Sequence, residues 1–420
     1  MIERRTILKW AGALPVFGAI AADSLWRQAA AAVKSKAAGN IYTRIGVRPF
    51  INARGTWTYL SGSLELPEVR AAKQEAAQHF VDIFELQRAA GKRLAELSGA
   101  EAGMVTSGAA GAIASATAAC MAGADPAKIW QLPDTTGLKN EVIMFGGRSA
   151  FDSAVRLTGA RLVVVHGADE LRSAIGSQTA MIYTTVLGAR LEAALAISKA
   201  AKVPMLLDDA AGIPPIENLK LYAKMGADLY CFSGGKGLGG PQCSGILLGR
   251  RDLIDAALAN TSPWEGAVCR AMKVGKEEVM GCLAAVEAWT KMDLSALNKQ
   301  WEQRVKRIAA LAETVPGVTT EIKIPEGGNR YPTLTVLWDE QAWGFTVADC
   351  DRELRSGEPR IEVLTASNPS LVPAVSEHDP KTPHRNRLQI ISMTMQQGEE
   401  LIVGRRLREI LGAARKNVKS

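Results

Sequence analysis

The chain has 420 residues, 47% of them hydrophobic and 22% charged, with a formal net charge of +7. That length can bury a large core, and the composition is that of a soluble globular protein, which excludes disordered and fibrous classes. The basic residues are spread along the chain and densest in the tail, where they read as the solvated face of a terminal helix; no basic-aromatic patch argues for nucleic acid.

The first residues read as an address. Arg4-Arg5-Thr6-Ile7-Leu8-Lys9 precede an apolar run from Trp10 to Ala22, the layout of an export signal. The run is too short to span a bilayer. The paired arginines, two apolar residues and lysine resemble a twin-arginine signal, with Glu3 and Ile7 departing from its usual pattern. Residues 1–32 are therefore expected to engage the twin-arginine export machinery and deliver the protein to the periplasm. The alternative is an amphipathic helix on a cytoplasmic enzyme. No later run is long and apolar enough for a membrane span.

After an alanine-rich spacer the fold is expected to begin near Asn40. Pro67 opens a helix through about Phe80, and a second runs from about Glu85 to Ser98, ending at Gly99. Strands are predicted at Ala102–Thr106, Glu141–Met144, Arg161–Val165, Met181–Val186, Met205–Asp208 and Leu229–Phe232. A small-residue helix is predicted over Gly108–Met121. Continuous Val/Ile/Leu runs separated by helical periods predict a mostly parallel sheet covered on both faces. Gly245–Gly249 could add a strand. Long helices follow at Glu277–Lys291 and Ser295–Glu313. A small α+β unit completes the chain, with strands at Thr333–Trp338, Ile361–Leu364 and Leu388–Met393 and a helix from about Gly398. The stretch from Ser367 to Pro383 reads as a surface loop or a lid.

The chemistry concentrates in two segments. Asp208 closes the strand-like run Pro204-Met205-Leu206-Leu207. Lys236 lies in the turn Ser233-Gly234-Gly235-Lys236-Gly237 after the next strand. At the end of a parallel strand a carboxylate points into the ligand crevice, and glycines let a backbone turn sharply against a ligand. A lysine and a carboxylate so placed suit pyridoxal 5'-phosphate (PLP): the lysine bonds the aldehyde and the carboxylate keeps the ring nitrogen protonated. Asp209 is the rival, although alternation puts the two acids on opposite faces. Thr106-Ser107-Gly108-Ala109-Ala110-Gly111 joins a strand to a helix, so Ser107, Gly108 and Ala109 are candidates for a phosphate cup, with Ser233 adding a hydroxyl. Arg54, Gln87 and Arg148 are candidate substrate contacts, the guanidinium of Arg54 being able to clamp a carboxylate. Lys273 and Lys276 are weaker candidates for phosphate or partner-chain contacts. The six cysteines form no CxxC pair and the four histidines are scattered, which argues against a metal site.

Several stretches together resemble the selenocysteine synthase-like group of fold-type-I PLP enzymes, which includes L-seryl-tRNA selenium transferase and D-glucosaminate-6-phosphate ammonia-lyase. They are Gly46-Val47-Arg48-Pro49-Phe50-Ile51-Asn52-Ala53, Glu85-Leu86-Gln87-Arg88, Thr106-Ser107-Gly108-Ala109-Ala110, Leu132-Pro133-Asp134-Thr135-Thr136-Gly137, Pro214-Pro215-Ile216-Glu217-Asn218-Leu219, Phe232-Ser233-Gly234-Gly235-Lys236-Gly237 and Met272-Lys273-Val274-Gly275-Lys276-Glu277-Glu278. The resemblance implies Schiff-base formation at Lys236. It favours Asp208 over Asp209, because the family spaces a proline four residues before the pyridine-binding aspartate. It further implies a large PLP-binding domain with an N-terminal arm (40–292), a linking helix with a small C-terminal domain (293–420), and a homodimer or higher oligomer. One departure stands out. Ammonia-lyase-like relatives carry a Gly-His-Arg-Asn segment whose histidine stacks on the cofactor ring, and here the chain reads Phe145-Gly146-Gly147-Arg148-Ser149-Ala150-Phe151-Asp152, with Arg148 or Phe151 as replacements.

The expected activity is a PLP-dependent lyase performing α,β-elimination on a small amino acid or amino-sugar acid. Selenium transfer, transamination and racemisation on the same fold are the enzymatic alternatives. A PLP-fold protein that binds a ligand without turnover is the alternative of another class.

Overall fold

The computed structural model describes residues 39–325, 330–365 and 387–417. The export signal and the stretch from Ser367 to Pro383 lie outside the described residues. Twelve strands follow in chain order: β1 (Phe50–Ala53), β2 (Ala102–Thr106), β3 (Glu141–Phe145), β4 (Arg161–Val165), β5 (Thr179–Thr184), β6 (Met205–Asp208), β7 (Leu229–Ser233), β8 (Gly245–Gly249), β9 (Thr319–Lys323), β10 (Thr333–Leu337), β11 (Arg360–Val363) and β12 (Leu388–Ile391).

The continuous apolar runs build a seven-stranded sheet in the order β2-β8-β7-β6-β5-β3-β4. The pairs from β7 through β4 are parallel, whereas β8 runs antiparallel to both β7 and β2. Two reversals cancel, so β2 points the same way as β7. The chain therefore leaves β2, β3, β5, β6 and β7 at one edge of the sheet. This edge is where open α/β sheets bind ligands.

Alternation along each strand sends side chains into two separate cores. Met104, Met144, Tyr183, Leu206, Cys231 and Leu247 face one side, against the helix Gly108–Ala122. Val105, Ile143, Ile182, Leu207, Tyr230 and Ile246 face the other, against helices Ile83–Ser98, Ala189–Ala201 and Lys276–Trp289. Every residue from Gly111 to Ala119 is buried, so that helix has no polar stripe and its alanine-rich sequence allows close approach on all sides.

Strand β2 lies at the sheet edge, where unpaired backbone groups are a liability. Gln87 covers it: its amide donates to the Val105 carbonyl at 2.8 Å and accepts from the Val105 N–H at 3.1 Å. The helix carrying Gln87 sits very close to β2 because Gly91 has no side chain. A Cβ there would lie 2.0 Å from the Gly103 carbonyl oxygen. Gly91→Ala is therefore expected to destabilise the protein by about 1–3 kcal/mol, read from the midpoint of chemical unfolding. An unchanged midpoint would mean that helix and strand can separate freely.

The small unit has two sheets: the antiparallel β12-β10-β9 and a parallel pair of β1 with β11. Helices Leu294–Ala312 and Glu399–Asn417 pack on them through Val305, Ile308, Val403 and Leu407. Arg304 donates to the carbonyls of Ser392 and Met395, and Arg307 pairs with the buried Glu400 at 2.8 Å.

Four elements differ from the local reading. The helix from Pro67 stops at Ala76, and Phe80 is fully exposed. Strand β5 starts and ends two residues early, since Glu141 pairs with Thr179 and the Thr184 hydroxyl, donating to the Phe145 carbonyl, closes its other end. Strand β1 was not predicted, because its partner β11 lies far along the sequence. Strand β9 was not predicted, because an edge strand reading Thr319-Thr320-Glu321-Ile322-Lys323 carries almost no apolar signal.

Candidate active site

Asp208 ends β6 and is 6% exposed. Its carboxylate accepts from the Tyr183 hydroxyl at 2.7 Å, from the Ala210 N–H at 3.1 Å and from the Cys231 thiol at 3.6 Å. Three donors on one buried carboxylate compensate the loss of water around its charge. Burial pushes the Cys231 thiol well above its ordinary range, so it remains a donor. Asp209 turns to the opposite face and accepts from the Tyr222 hydroxyl at 2.5 Å. The two acids thus part as strand alternation requires.

Lys236 lies beyond β7 in a loop held from several sides. The Gly235 carbonyl accepts from the Ser63 N–H at 2.9 Å, the Leu66 N–H donates to Gly239, and the Trp289 indole donates to Leu238 at 2.8 Å. The glycines are required by contact: a Cβ on Gly234 would meet the Ser244 hydroxyl at 2.0 Å, and one on Gly237 the Tyr331 hydroxyl at 2.0 Å. Lys236 is half-buried, and its partial desolvation lowers its pKa, against the opposing pull of Asp208, Cys231 and Asp209. A lysine shifted this way holds more neutral, nucleophilic amine than one in water.

Ser107 stands where β2 gives way to the helix Gly108–Ala122, and its side chain makes no cap hydrogen bond. Gly108 has φ +73°, and a Cβ there would meet only open space. An uncapped helix start beside open space offers N–H groups to an anion. Ser233, at the end of β7, donates its backbone N–H to Ala210, which ties the lysine loop to the aspartate segment. Ala109 follows Gly108 in the first helical turn.

The segment after β3 brings Phe151 over the lysine: Lys236 Nζ lies 5.7 Å from the centroid of its half-exposed ring. Ser149 accepts from the Phe151 N–H, and the buried Asp152 pairs with both Arg148 and Arg156. Arg148 is thus an ion-pair partner of Asp152. Gln87 spends both ends of its amide on Val105. Arg54 is buried, donates to the Val363 carbonyl at 2.8 Å and lies over the rings of Trp57 and Tyr59. The contacts of all three substrate candidates therefore run to groups other than Asp208 and Lys236. Lys276 donates to the Ala76 carbonyl and pairs with Glu277. Tyr183 was missed by sequence reasoning, since a tyrosine inside an apolar strand carries no signal of its own.

No family model matches the chain. It is 31% identical over 388 residues to the D-glucosaminate-6-phosphate ammonia lyase of Salmonella typhimurium, covering 88% of this chain and 98% of that protein. It is 32% identical over 339 residues to a 5'-C-glycyluridine monooxygenase-decarboxylase from a Streptomyces species, covering 76% and 83%. A solved D-glucosaminate-6-phosphate ammonia-lyase superposes with a TM-score of 0.74 at 28% identity, covering 90% of this chain and all of that one. The chain belongs to the selenocysteine synthase-like family of fold-type-I PLP enzymes. An L-seryl-tRNA(Sec) selenium transferase from Moorella thermoacetica is 27% identical over 355 residues, 72% of this chain and 71% of that protein.

The residues of this PLP enzyme suit the family's cofactor on their own terms. A half-buried amine, a buried carboxylate with three hydrogen-bond donors and an uncapped helix start stand at one end of the sheet, the set of groups PLP requires. The partly desolvated lysine has a cost that pH should expose. Its folded pKa lies below its ordinary value of 10.5, so the unfolded chain binds the extra proton between the two values and stability rises with pH across that window. Below the folded value Lys236 is protonated in both states and the cost is complete. Lys236→Met is therefore expected to make the cofactor-free protein more stable than wild type at neutral pH, with the gap closing as pH approaches 10.5. Thermal unfolding across pH checks this, and a constant gap would refute it.

Proposed function

We propose that the protein binds PLP and catalyses α,β-elimination on a small amino acid or amino-sugar acid, releasing ammonia and leaving a keto acid. The observation that carries this reading is the half-buried Lys236 in its glycine loop beside the three-donor carboxylate of Asp208. Lys236 would hold the cofactor and Asp208 would face its ring nitrogen. Ser107, Gly108, Ala109 and Ser233 would take its phosphate, and the Phe151 ring would supply an apolar surface in place of an imidazole. When bound, PLP supplies an electron sink for charge developing at the substrate α-carbon. Lys236 is the base that takes the α-proton. The net change removes the amine as ammonia and turns the hydroxyl-bearing β-carbon into a CH₂ beside the new ketone, the water lost at one stage being regained at the next.

A second reading has its own support. The Streptomyces relative, at equal identity, is named for oxygenation and decarboxylation. The two separate cleanly in one experiment: PLP-loaded protein is offered a panel of amino acids and amino-sugar acids while ammonia, oxygen and carbon dioxide are followed. Ammonia and a keto acid without oxygen uptake support elimination. Oxygen uptake with carbon dioxide release replaces it.

The same reading includes a homo-oligomer and export to the periplasm by the twin-arginine route. Phe80, Trp130 and Trp264 expose large apolar area, the kind of surface that a second copy covers. No helix among the described residues is long and apolar enough to cross a membrane. Sizing of the purified protein and fractionation of cells test these two parts.

A further inference from the structure

The Asp208 carboxylate is held by a phenol from the neighbouring strand. The Tyr183 hydroxyl donates to Asp208 at 2.7 Å, and Ser149, on the segment after β3, stands near the phenol. Tyr183 is 2% exposed. Burial and the neighbouring Asp208 charge both push its pKa far up, so it stays a neutral donor. It also comes from a different strand than either Asp208 or Lys236. The contact thus links β5 to the end of β6.

A carboxylate that shares its charge with a phenol presents less of it to any other partner. A tyrosine fixed in this geometry therefore tunes whatever Asp208 faces, without touching it. We propose that Tyr183 is a positioning residue: it orients the Asp208 carboxylate and limits the negative charge presented to the cofactor's ring nitrogen. The inference rests on the PLP reading above and deepens it.

The test is the pH midpoint of the visible absorbance of PLP-loaded protein without substrate. The titratable groups around the site are Tyr183 from β5, Cys231 from β7, Asp209 beside Asp208, and Lys236 itself. Removing the Tyr183 hydroxyl leaves Asp208 with more unshared charge, which favours the protonated form of the chromophore. Tyr183→Phe is expected to raise the midpoint by about half a unit, and Ser149→Ala to raise it by less. Tyr230→Phe is the control. It deletes the same atom from an equally buried tyrosine whose hydroxyl donates to the Leu219 carbonyl, and its midpoint should match wild type.

Midpoints of Tyr183→Phe and Ser149→Ala that equal the wild-type value would overturn the proposal, as would an equal shift in Tyr230→Phe. Should Tyr183→Phe not fold, 3-fluorotyrosine at position 183, a stronger donor of nearly the same size, decides in its place: it is expected to lower the midpoint, and an unmoved midpoint would overturn the proposal. Wild type without a borohydride-sensitive visible band would instead remove the PLP reading, and the inference with it; a wild-type band with unmoved variants sinks only the inference.

Discussion

Lys236→Ala should abolish turnover, by about 10³-fold or more, and erase the visible band that borohydride removes from PLP-loaded wild type. Both effects follow from one atom. Lys236 Nζ is the amine at this end of the sheet, and partial desolvation lowers its pKa. Its neighbours are a carboxylate on one strand and an aromatic ring on another segment. No other part of the described site offers an amine in that setting. The loop should survive the substitution, because its anchors are backbone and indole groups: Ser63 to Gly235, Leu66 to Gly239 and Trp289 to Leu238. Circular dichroism should therefore resemble wild type while the band is gone. A variant that keeps the band would move the attachment to another residue. A variant that loses the band but keeps its turnover would show that the reaction does not need the attachment.

The sheet was legible because fully buried strands are continuous apolar runs, and β2 and β6 fall where those runs do. Lys236 and Asp208 were legible because each ends such a run, so the pattern that builds the core also places the chemistry. What local pattern could not supply was pairing across the chain. The direction of β8, which decides that Ser107 shares an edge with Lys236, is set by Leu229 pairing with Gly249 and Ala102 with the same residue. The pairing of β1 with β11 is equally remote. Side-chain engagement was also out of reach. Gln87 looks like an available polar group in the sequence, yet both ends of its amide go to an exposed strand edge, and one Arg54 N–H goes to a carbonyl of β11. Tyr183 is the opposite case, an apparent core residue whose hydroxyl reaches the site.

Asp208→Asn should lower kcat by about 10²–10⁴-fold, whereas Asp209→Asn should leave it within about threefold of wild type. Asparagine keeps the size of the side chain, its one oxygen can still accept from the Ala210 N–H, and the Tyr183 hydroxyl can turn to accept from the amide NH2, so the fold should hold. It cannot carry the negative charge that keeps a ring nitrogen protonated, and the loss should appear in kcat more than in KM. Asp209 is equally buried, but burial raises its pKa and its oxygen is occupied by Tyr222 on the other face. An amide there still accepts the Tyr222 hydroxyl and removes a costly buried charge. Paired kinetics of the two variants read out which face of β6 carries the chemistry. Equal losses would mean that the aspartate pair acts as one electrostatic unit. A larger loss for Asp209→Asn would reverse the assignment and place the site on the side of Tyr222, away from Tyr183 and the helix start at Gly108.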